Sequence, residues 1–145
     1  MLPKYVGKAK PFDGKHSELS QRIIKVFYDV HSELGYGFSE KVYQRAFAIA
    51  LREDGMMVDE QVPIKVYFRS QLVGEYFADM VVNNLIMLEL KTAEAIISEH
   101  EAQLLNYLKS IEIEVGYVLN FGKSATFKRK VFDNPRKGSL HWMKK

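Results

Sequence analysis

Three charged residues occupy two apolar segments where a folded core is expected. Asp79 precedes the run Met-Val-Val. Glu89 follows the run Leu-Ile-Met-Leu, and Lys91 comes two residues later. Asn83 and Asn84 are the turn signal between the two runs. This pattern predicts a hairpin of two core strands. A buried ion without a partner is strongly unfavourable, so two carboxylates in such strands need a counter-charge. A divalent cation is the most economical partner for them.

The length of the hairpin loop decides whether the two carboxylates meet. Because side chains alternate along a strand, a two-residue loop at 83–84 would place Asp79 opposite Leu88, on the wrong face. A three-residue loop at 83–85 places Asp79 opposite Glu89, with Cβ atoms ~5 Å apart. We predict the three-residue loop, since asparagine tolerates the left-handed backbone conformation that it needs.

Composition limits the class of protein and the class of metal site. The chain has 145 residues, 47% hydrophobic and 27% charged, which is typical of one globular domain. Neither a membrane span nor the apolar core of a secretory signal is visible, so we expect a cytoplasmic protein. The absence of cysteine excludes disulfides, cysteine nucleophiles and thiolate metal sites. Oxygen or imidazole ligands remain, which favours Mg²⁺ or Mn²⁺.

Hydrophobic periodicity predicts an α/β fold. The expected elements are helices at 19–34 and 39–53, strands at 64–69, 72–82 and 86–91, a helix at 98–110, and strands at 115–120 and 127–132. A turn at 70–71 would join the first two strands, and Ser98 and Glu101 would form a capping box for the third helix. The order ααβββαβ(β) predicts a mixed β-sheet flanked by helices. We expect an N-terminal arm at 1–17, a domain at 18–132 and a basic C-terminal tail at 133–145.

Four residues on the predicted helices are further candidates for the site. Glu40 lies at the margin of the apolar sector of the second helix, where it either complements the helix dipole or is a third carboxylate aimed at the same metal. Gln103 and Tyr107 follow one edge of the third helix and either orient a ligand or the neighbouring lysine, or merely border the core. His31, beside the apolar stripe of the first helix, is either a core histidine or a metal ligand.

One segment resembles a known family. Residues 37–43, Gly-Phe-Ser-Glu-Lys-Val-Tyr, have the G-x-x-E-x-x-Y pattern of the GxxExxY proteins, small chains of the PD-(D/E)XK nuclease superfamily. The resemblance extends over residues 24–129 and includes the motifs Val-His at 30–31, Ala-Asp at 78–79, Glu-Leu-Lys at 89–91, Gln-Leu-Leu-Asn-Tyr at 103–107 and Asn-Phe-Gly at 120–122. Ala78 stands where the superfamily name implies proline.

The resemblance implies a restriction-endonuclease-like fold and metal-dependent hydrolysis of phosphodiester bonds in nucleic acid, DNA in the first place. It makes Asp79 and Glu89 metal ligands, Lys91 the catalytic lysine and Glu40 the helix-borne acid. Gln103 and Tyr107 are similar to the Q-x-x-x-Y motif of the RecB-like branch. In this chemistry the carbonyl of Leu90 would join the carboxylates around Mg²⁺ or Mn²⁺, with Glu40 bound directly or through water.

Basic residues near the C-terminus are candidates for contacts with nucleic-acid phosphates. The predicted contacts are Lys123, Lys128, Arg129 and Lys130. The basic tail either meets phosphates as well or is simply solvated. A homodimer is a further option, because many enzymes that cut duplexes pair two active sites.

Two other hypotheses stay open from the sequence. The fold could serve as a catalytically silent module that binds nucleic acid or a protein, or Glu89 and Lys91 could be an exposed pair on an edge strand with no site. The intact set of Asp79, Glu89, Lys91 and Gln103 favours the enzyme, because a binding module does not need buried ionisable groups. No patch of aromatic and basic residues for stacking on single strands is visible in the sequence.

Overall fold

The computed structural model describes residues 14–138; residues 1–13 and 139–145 lie outside the described part. Three helices and five strands follow in the predicted order, which confirms the α/β fold with a mixed sheet. In the described part, no helix is both long and apolar enough to cross a membrane. In chain order the elements are α1 (Ser17–Leu34), α2 (Glu40–Glu53), β1 (Val58–Phe68), β2 (Gln71–Val82), β3 (Ile86–Lys91), α3 (Ser98–Ser110), β4 (Val115–Phe121), β5 (Ala125–Val131) and a short 3-10 helix, Asn134–Arg136.

The connection between α1 and α2 turns at two glycines. Gly35 has φ 72° and Gly37 has φ 114°, backbone conformations that a Cβ atom disfavours. Ser39 is the N-cap residue of α2, and Gly55, with φ 89°, follows the end of that helix. Turn residues in the sequence therefore fix where α1 ends and where α2 begins and ends.

The sheet has the strand order β1-β2-β3-β4-β5. Strands β3 and β4 pair in parallel, and the other neighbouring strands pair antiparallel. A parallel pair needs a long crossover connection, and α3 provides it. Because β3 and β4 run in the same direction, Lys91 and Asn120 pair near their carboxyl ends, at the same edge of the sheet.

Two apolar clusters cover the two faces of the sheet. The larger cluster packs α1 and α2 against side chains that include Leu88 and Leu90 of β3. The smaller cluster packs α3 against side chains that include Met87 of β3 and Val118 of β4. Alternation along β3 therefore places Glu89 on the face that α3 covers.

The loop between β2 and β3 has the predicted three residues. Val82 pairs with Ile86, so the loop comprises residues 83–85. Asn83 and Asn84 take left-handed conformations, with φ 52° and 56°. This confirms the register that the alternation of apolar residues predicts.

The predicted hairpin of β1 and β2 differs from the structure in two places. Strand β1 begins at Val58, six residues before the predicted start at 64. Pro63 obscures this extension in the sequence, but β1 is an edge strand, where proline need not interrupt a ladder of hydrogen bonds. The turn falls at Arg69 and Ser70, with φ 50° and 65°, rather than at 70–71.

The predicted capping box of α3 is also wrong. Ile97 is the N-cap residue, and its backbone N–H donates to Nδ1 of His100 at 3.2 Å. Ser98 is already the first helical residue, and Glu101 forms an ion pair with Lys130 at 2.6 Å. His100, at the third helical position, thus accepts from the N-cap amide, a role that the predicted capping box gave to Glu101.

Charged residues near both ends of the described segment belong to the fold. Lys15 Nζ lies 3.0 Å from Glu114 Oε1. Lys137 is buried, and its Nζ donates to two backbone carbonyls of the connection between α3 and β4 at 2.7 and 2.9 Å. Lys137 is therefore not a solvated residue of a basic tail. Most of the predicted arm at 1–17 and the end of the predicted tail at 133–145 lie outside the described residues.

Candidate active site

Asp79 and Glu89 interlock where β2 and β3 separate. The backbone pairing of these strands ends at Met80 and Leu88. One step further, the N–H of Asp79 donates to Glu89 Oε2 at 3.0 Å, and the N–H of Leu90 donates to Asp79 Oδ2 at 2.8 Å. Each carboxylate takes the place of a strand carbonyl as the acceptor for an amide of the other strand. The two acids converge, as the three-residue loop predicts.

Burial raises the pKa of both carboxyl groups. Glu89 is only 5% exposed, and burial, together with the charge of Asp79, raises its pKa to about 8. Burial also raises the pKa of the half-buried Asp79, against the hydrogen bond from the Leu90 amide. The positive charge of Lys91 acts on both acids in the opposite direction. A pocket that disfavours two ionised carboxylates favours a cation between them.

Lys91 is half-buried and lies on the same face of β3 as Glu89. Its charge lowers the pKa of both carboxyl groups. None of the ion pairs within residues 14–138 joins Lys91 to either acid. The ammonium group is therefore free to contact a ligand rather than held in a salt bridge.

Residues 37–43 place Glu40 at the start of α2. Glu40 is the first residue of that helix and is exposed, and its charge has a minor raising effect on the pKa of Glu89. Tyr43 is fully buried, and its hydroxyl donates to Gly35 O at 2.5 Å and accepts from the N–H of Phe38 at 3.4 Å. The tyrosine thereby braces the turn from which Glu40 extends.

Tyr107 and Gln103 of α3 line a groove. The groove has a volume of about 530 Å³ and lies between α3 and the hairpin of β1 and β2. The Tyr107 ring lies 5.6 Å from the ring of Tyr76, and burial followed by the charge of Glu89 raises its pKa. Gln103 is exposed in the groove. Both residues of the Q-x-x-x-Y pattern thus line one groove, although neither Asp79 nor Glu89 is among its lining residues.

His31 contacts the end of β4 and the residue after it rather than the two carboxylates. Its Nε2 lies 2.7 Å from Gly122 O, and its ring stacks on Phe121 at 6.4 Å. Among residues 14–138, no three His, Asp or Glu side chains are grouped so that they could hold a metal ion. The predicted ligand set of Asp79, Glu89, Glu40 and His31 is therefore not assembled as one cluster; the structure brings together only its first two members.

The four basic residues predicted to contact phosphates do not form one surface. Lys130 pairs with Glu101 of α3, and Arg129 Nη2 donates to the carbonyl of Lys15 at 3.0 Å. Lys128 is exposed on β5, and Lys123 is exposed in the loop before it. Alternation along β5 sends Arg129 to the face opposite Lys128 and Lys130. Of the four, Lys123 lies nearest to the edge of the sheet that carries the acids.

Two residues without a role in the sequence-based site hold the segment that follows Lys91. The buried Asn120 side chain accepts from the N–H of Ala93 and donates to its carbonyl, both at 2.9 Å. A Cβ atom on Gly122 would collide with the carbonyl oxygen of Ala93. The segment Asn-Phe-Gly at 120–122 was the only signal, and it carried no indication that its partner is the backbone of residue 93.

Gly122→Ala should therefore be strongly destabilising. The collision is with the carbonyl oxygen of Ala93, whose N–H and carbonyl are both held by Asn120, so we expect the free energy of unfolding to fall by about 3 kcal/mol. Urea unfolding followed by circular dichroism measures this loss. Ser124→Ala, an exposed position in the same loop, should change the value by no more than about 0.5 kcal/mol. Equal effects of the two substitutions would contradict the close packing described above.

The profile of the PD-(D/E)XK nuclease superfamily matches residues 17–131. This segment runs from the first residue of α1 to the last residue of β5 and contains Asp79, Glu89 and Lys91. The chain matches no curated protein and no solved structure at a significant level. Because the match covers most of the chain and the whole helix-and-sheet core, the protein belongs to the PD-(D/E)XK nuclease superfamily.

Proposed function

We propose that the protein is a Mg²⁺-dependent nuclease that hydrolyses phosphodiester bonds, with DNA as the first candidate substrate. One observation carries the proposal: the buried Glu89 and the half-buried Asp79 are interlocked, and Lys91, on the same face of β3 as Glu89, pairs with neither. A core that needed only packing would not hold two acids in contact, because burial opposes their ionisation. Membership of a nuclease superfamily supports the same conclusion.

The donor set of the pair fits a hard divalent cation. Glu89 Oε1 has no hydrogen-bond donor among residues 14–138, while Oε2 is oriented by the Asp79 amide. Carboxylate oxygens are the ligands that Mg²⁺ prefers, and it keeps several waters besides them. Asp79 and Glu89 would hold the ion, with the Leu90 carbonyl as a third ligand and Glu40 reaching it through water. When bound, the ion supplies polarisation of a phosphoryl oxygen and a lowered pKa of the attacking water.

The remaining residues have roles that follow from their positions. Lys91 places a positive charge against the phosphate, where it offsets the negative charge that builds up as water attacks, or orients that water. Gln103, exposed in the groove beside α3, orients the substrate or the Lys91 ammonium. Tyr107, from the same helix, packs in the apolar cluster that contains Ala78 and Met87 and would limit the entry of water there. The bracing of residues 37–43 by Tyr43 supports placement of the chain among the GxxExxY proteins, and the pair Gln103 and Tyr107 supports the RecB-like branch.

A nuclease assay with a matched pair of lysine variants tests the proposal. Plasmid, linear and single-stranded DNA are incubated with Mg²⁺, Mn²⁺ or EDTA, and we expect cutting only with the metals. Lys91→Met should reduce the rate about 100-fold, because a positioned charge or proton donor is lost. Lys65→Met, an exposed lysine of β1, should leave the rate unchanged.

Two outcomes would contradict the nuclease. Tight binding of DNA without cutting in any metal would support a catalytically silent binding module on the same fold. Cutting that persists in EDTA, or that Lys91→Met leaves intact, would point to a contaminating enzyme or to a different site.

A further inference from the structure

A second groove opens at the carboxyl ends of β3 and β4. It has a volume of about 620 Å³, and the residues that line it include Tyr36, Phe38, Thr92, Glu94 and Lys123. Thr92 directly follows Lys91 in the chain, and Phe38 precedes Glu40 by two residues. The groove is therefore lined by residues that neighbour Lys91 and Glu40 in the chain.

Two aromatic rings stand out into solvent at this groove. Tyr36 is 58% exposed and Phe38 is 48% exposed, although large aromatic side chains usually find cover in a fold. Their backbone is held in place: Gly35 and Gly37 supply the positive φ angles, and the Tyr43 hydroxyl bonds to Gly35 O and the Phe38 amide. The turn that carries the two rings is thus already held in place, so a ligand would not have to order this turn on binding.

A cation completes the groove. Lys123 Nζ lies 5.9 Å from the centre of the Tyr36 ring, and the side chain is otherwise exposed. Glu94 also lines the groove, so an anionic ligand would approach on the side of Lys123. Tyr36 and Phe38 come from one loop and Lys123 from another that is far away in the chain. This is why the sequence shows no patch of aromatic and basic residues.

We infer that this groove binds unpaired nucleotides next to the phosphate that is cut, and that the substrate class is therefore single-stranded nucleic acid. Exposed rings beside a lysine can stack on bases and contact the backbone phosphate of the same strand. A duplex hides the faces of its bases in its own stack, so it cannot make these contacts without unwinding. The position of the cut phosphate rests on the proposed function, but the binding of a single strand does not.

Fluorescence anisotropy in EDTA measures the binding without any cutting. The probes are labelled oligothymidylate, labelled oligouridylate and a duplex of the same length. We expect at least one single strand to bind about tenfold or more tightly than the duplex, and Tyr36→Ala or Phe38→Ala to remove about tenfold of that affinity. Tyr36→Phe should keep the affinity, because it keeps the ring. The two single-stranded probes distinguish DNA from RNA as the bound strand.

Phe68→Ala is the matched control. Phe68 is 59% exposed and has Arg69 over its ring at 4.9 Å, so it is an aromatic residue beneath a cation, but it lies outside the groove. The substitution Phe68→Ala should leave the affinity for single strands unchanged. Lys123→Ala should weaken binding mainly at low salt and reduce the salt dependence by about one phosphate contact.

The results separate this inference from the proposed nuclease. Equal binding of duplex and single strands, or equal effects of Tyr36→Ala and Phe68→Ala, would overturn the inference even if the protein cuts DNA. Single-strand binding that depends on Tyr36 and Phe38 would sustain the inference even if no metal produces cutting.

Discussion

Glu89→Gln will lower the rate of phosphodiester hydrolysis by about 1000-fold or more while the fold stays intact. Glutamine has the shape of glutamate and can still accept the Asp79 amide, which now bonds to Glu89 Oε2. It lacks the charge that a bound cation needs, so the site should lose its affinity for metal. The rate of cutting at saturating Mg²⁺ and the metal affinity from calorimetry measure the two effects.

The stability of this variant distinguishes a metal site from a structural ion pair. Because burial opposes ionisation of Glu89, replacement by a neutral amide should leave the metal-free protein at least as stable as the wild type near neutral pH. Glu75→Gln, an exposed glutamate of β2, should change neither activity nor stability. A marked loss of stability in Glu89→Gln would mean that the carboxylate holds the hairpin together, and retained activity would remove it from the proposed mechanism.

The register of the central hairpin could be predicted from the sequence because burial on both faces specifies it. A shift by one residue would carry Leu88 and Leu90 out of the core that α1 and α2 form and would separate Asp79 from Glu89. Because burial constrains this register so strongly, a few residues were enough to predict both the order of the elements and the contact of the two acids.

Contacts between distant loops could not be predicted in the same way. Lys123 meets Tyr36, and Asn120 meets the backbone of residue 93, although these partners lie far apart in the chain. The basic residues of β5 were grouped in the sequence because they are consecutive, but a strand separates neighbours onto opposite faces, and Lys130 is taken up by Glu101. Charge density along the chain is therefore a weaker guide to a binding surface than the apolar pattern is to a core.

The metal-free protein should become less stable as the pH rises from about 5 to about 8. The pKa of Glu89 is about 8 in the folded protein against 4.5 for an unperturbed glutamate, so the folded state holds a proton that the unfolded chain releases over this range. The stabilisation is complete below the unfolded value and is lost as the pH rises through the folded one. The raised pKa of Asp79 acts with the same sign. A shift of this size corresponds to a few kcal/mol, at about 1.4 kcal/mol per pKa unit.

Urea unfolding at several pH values, with and without Mg²⁺, measures this dependence. The series should stop near pH 8, because burial lowers the pKa of Lys137 to about 8, and the loss of its proton favours the folded state at higher pH. Mg²⁺ should stabilise the protein more at pH 8 than at pH 5, since it binds the ionised pair and binding to the folded state adds to stability. Glu89→Gln should flatten the pH dependence and remove the effect of Mg²⁺, whereas Glu75→Gln should preserve both. If the slope survives in Glu89→Gln, the proton is held elsewhere, and the carboxylate pair does not form the proposed cation site.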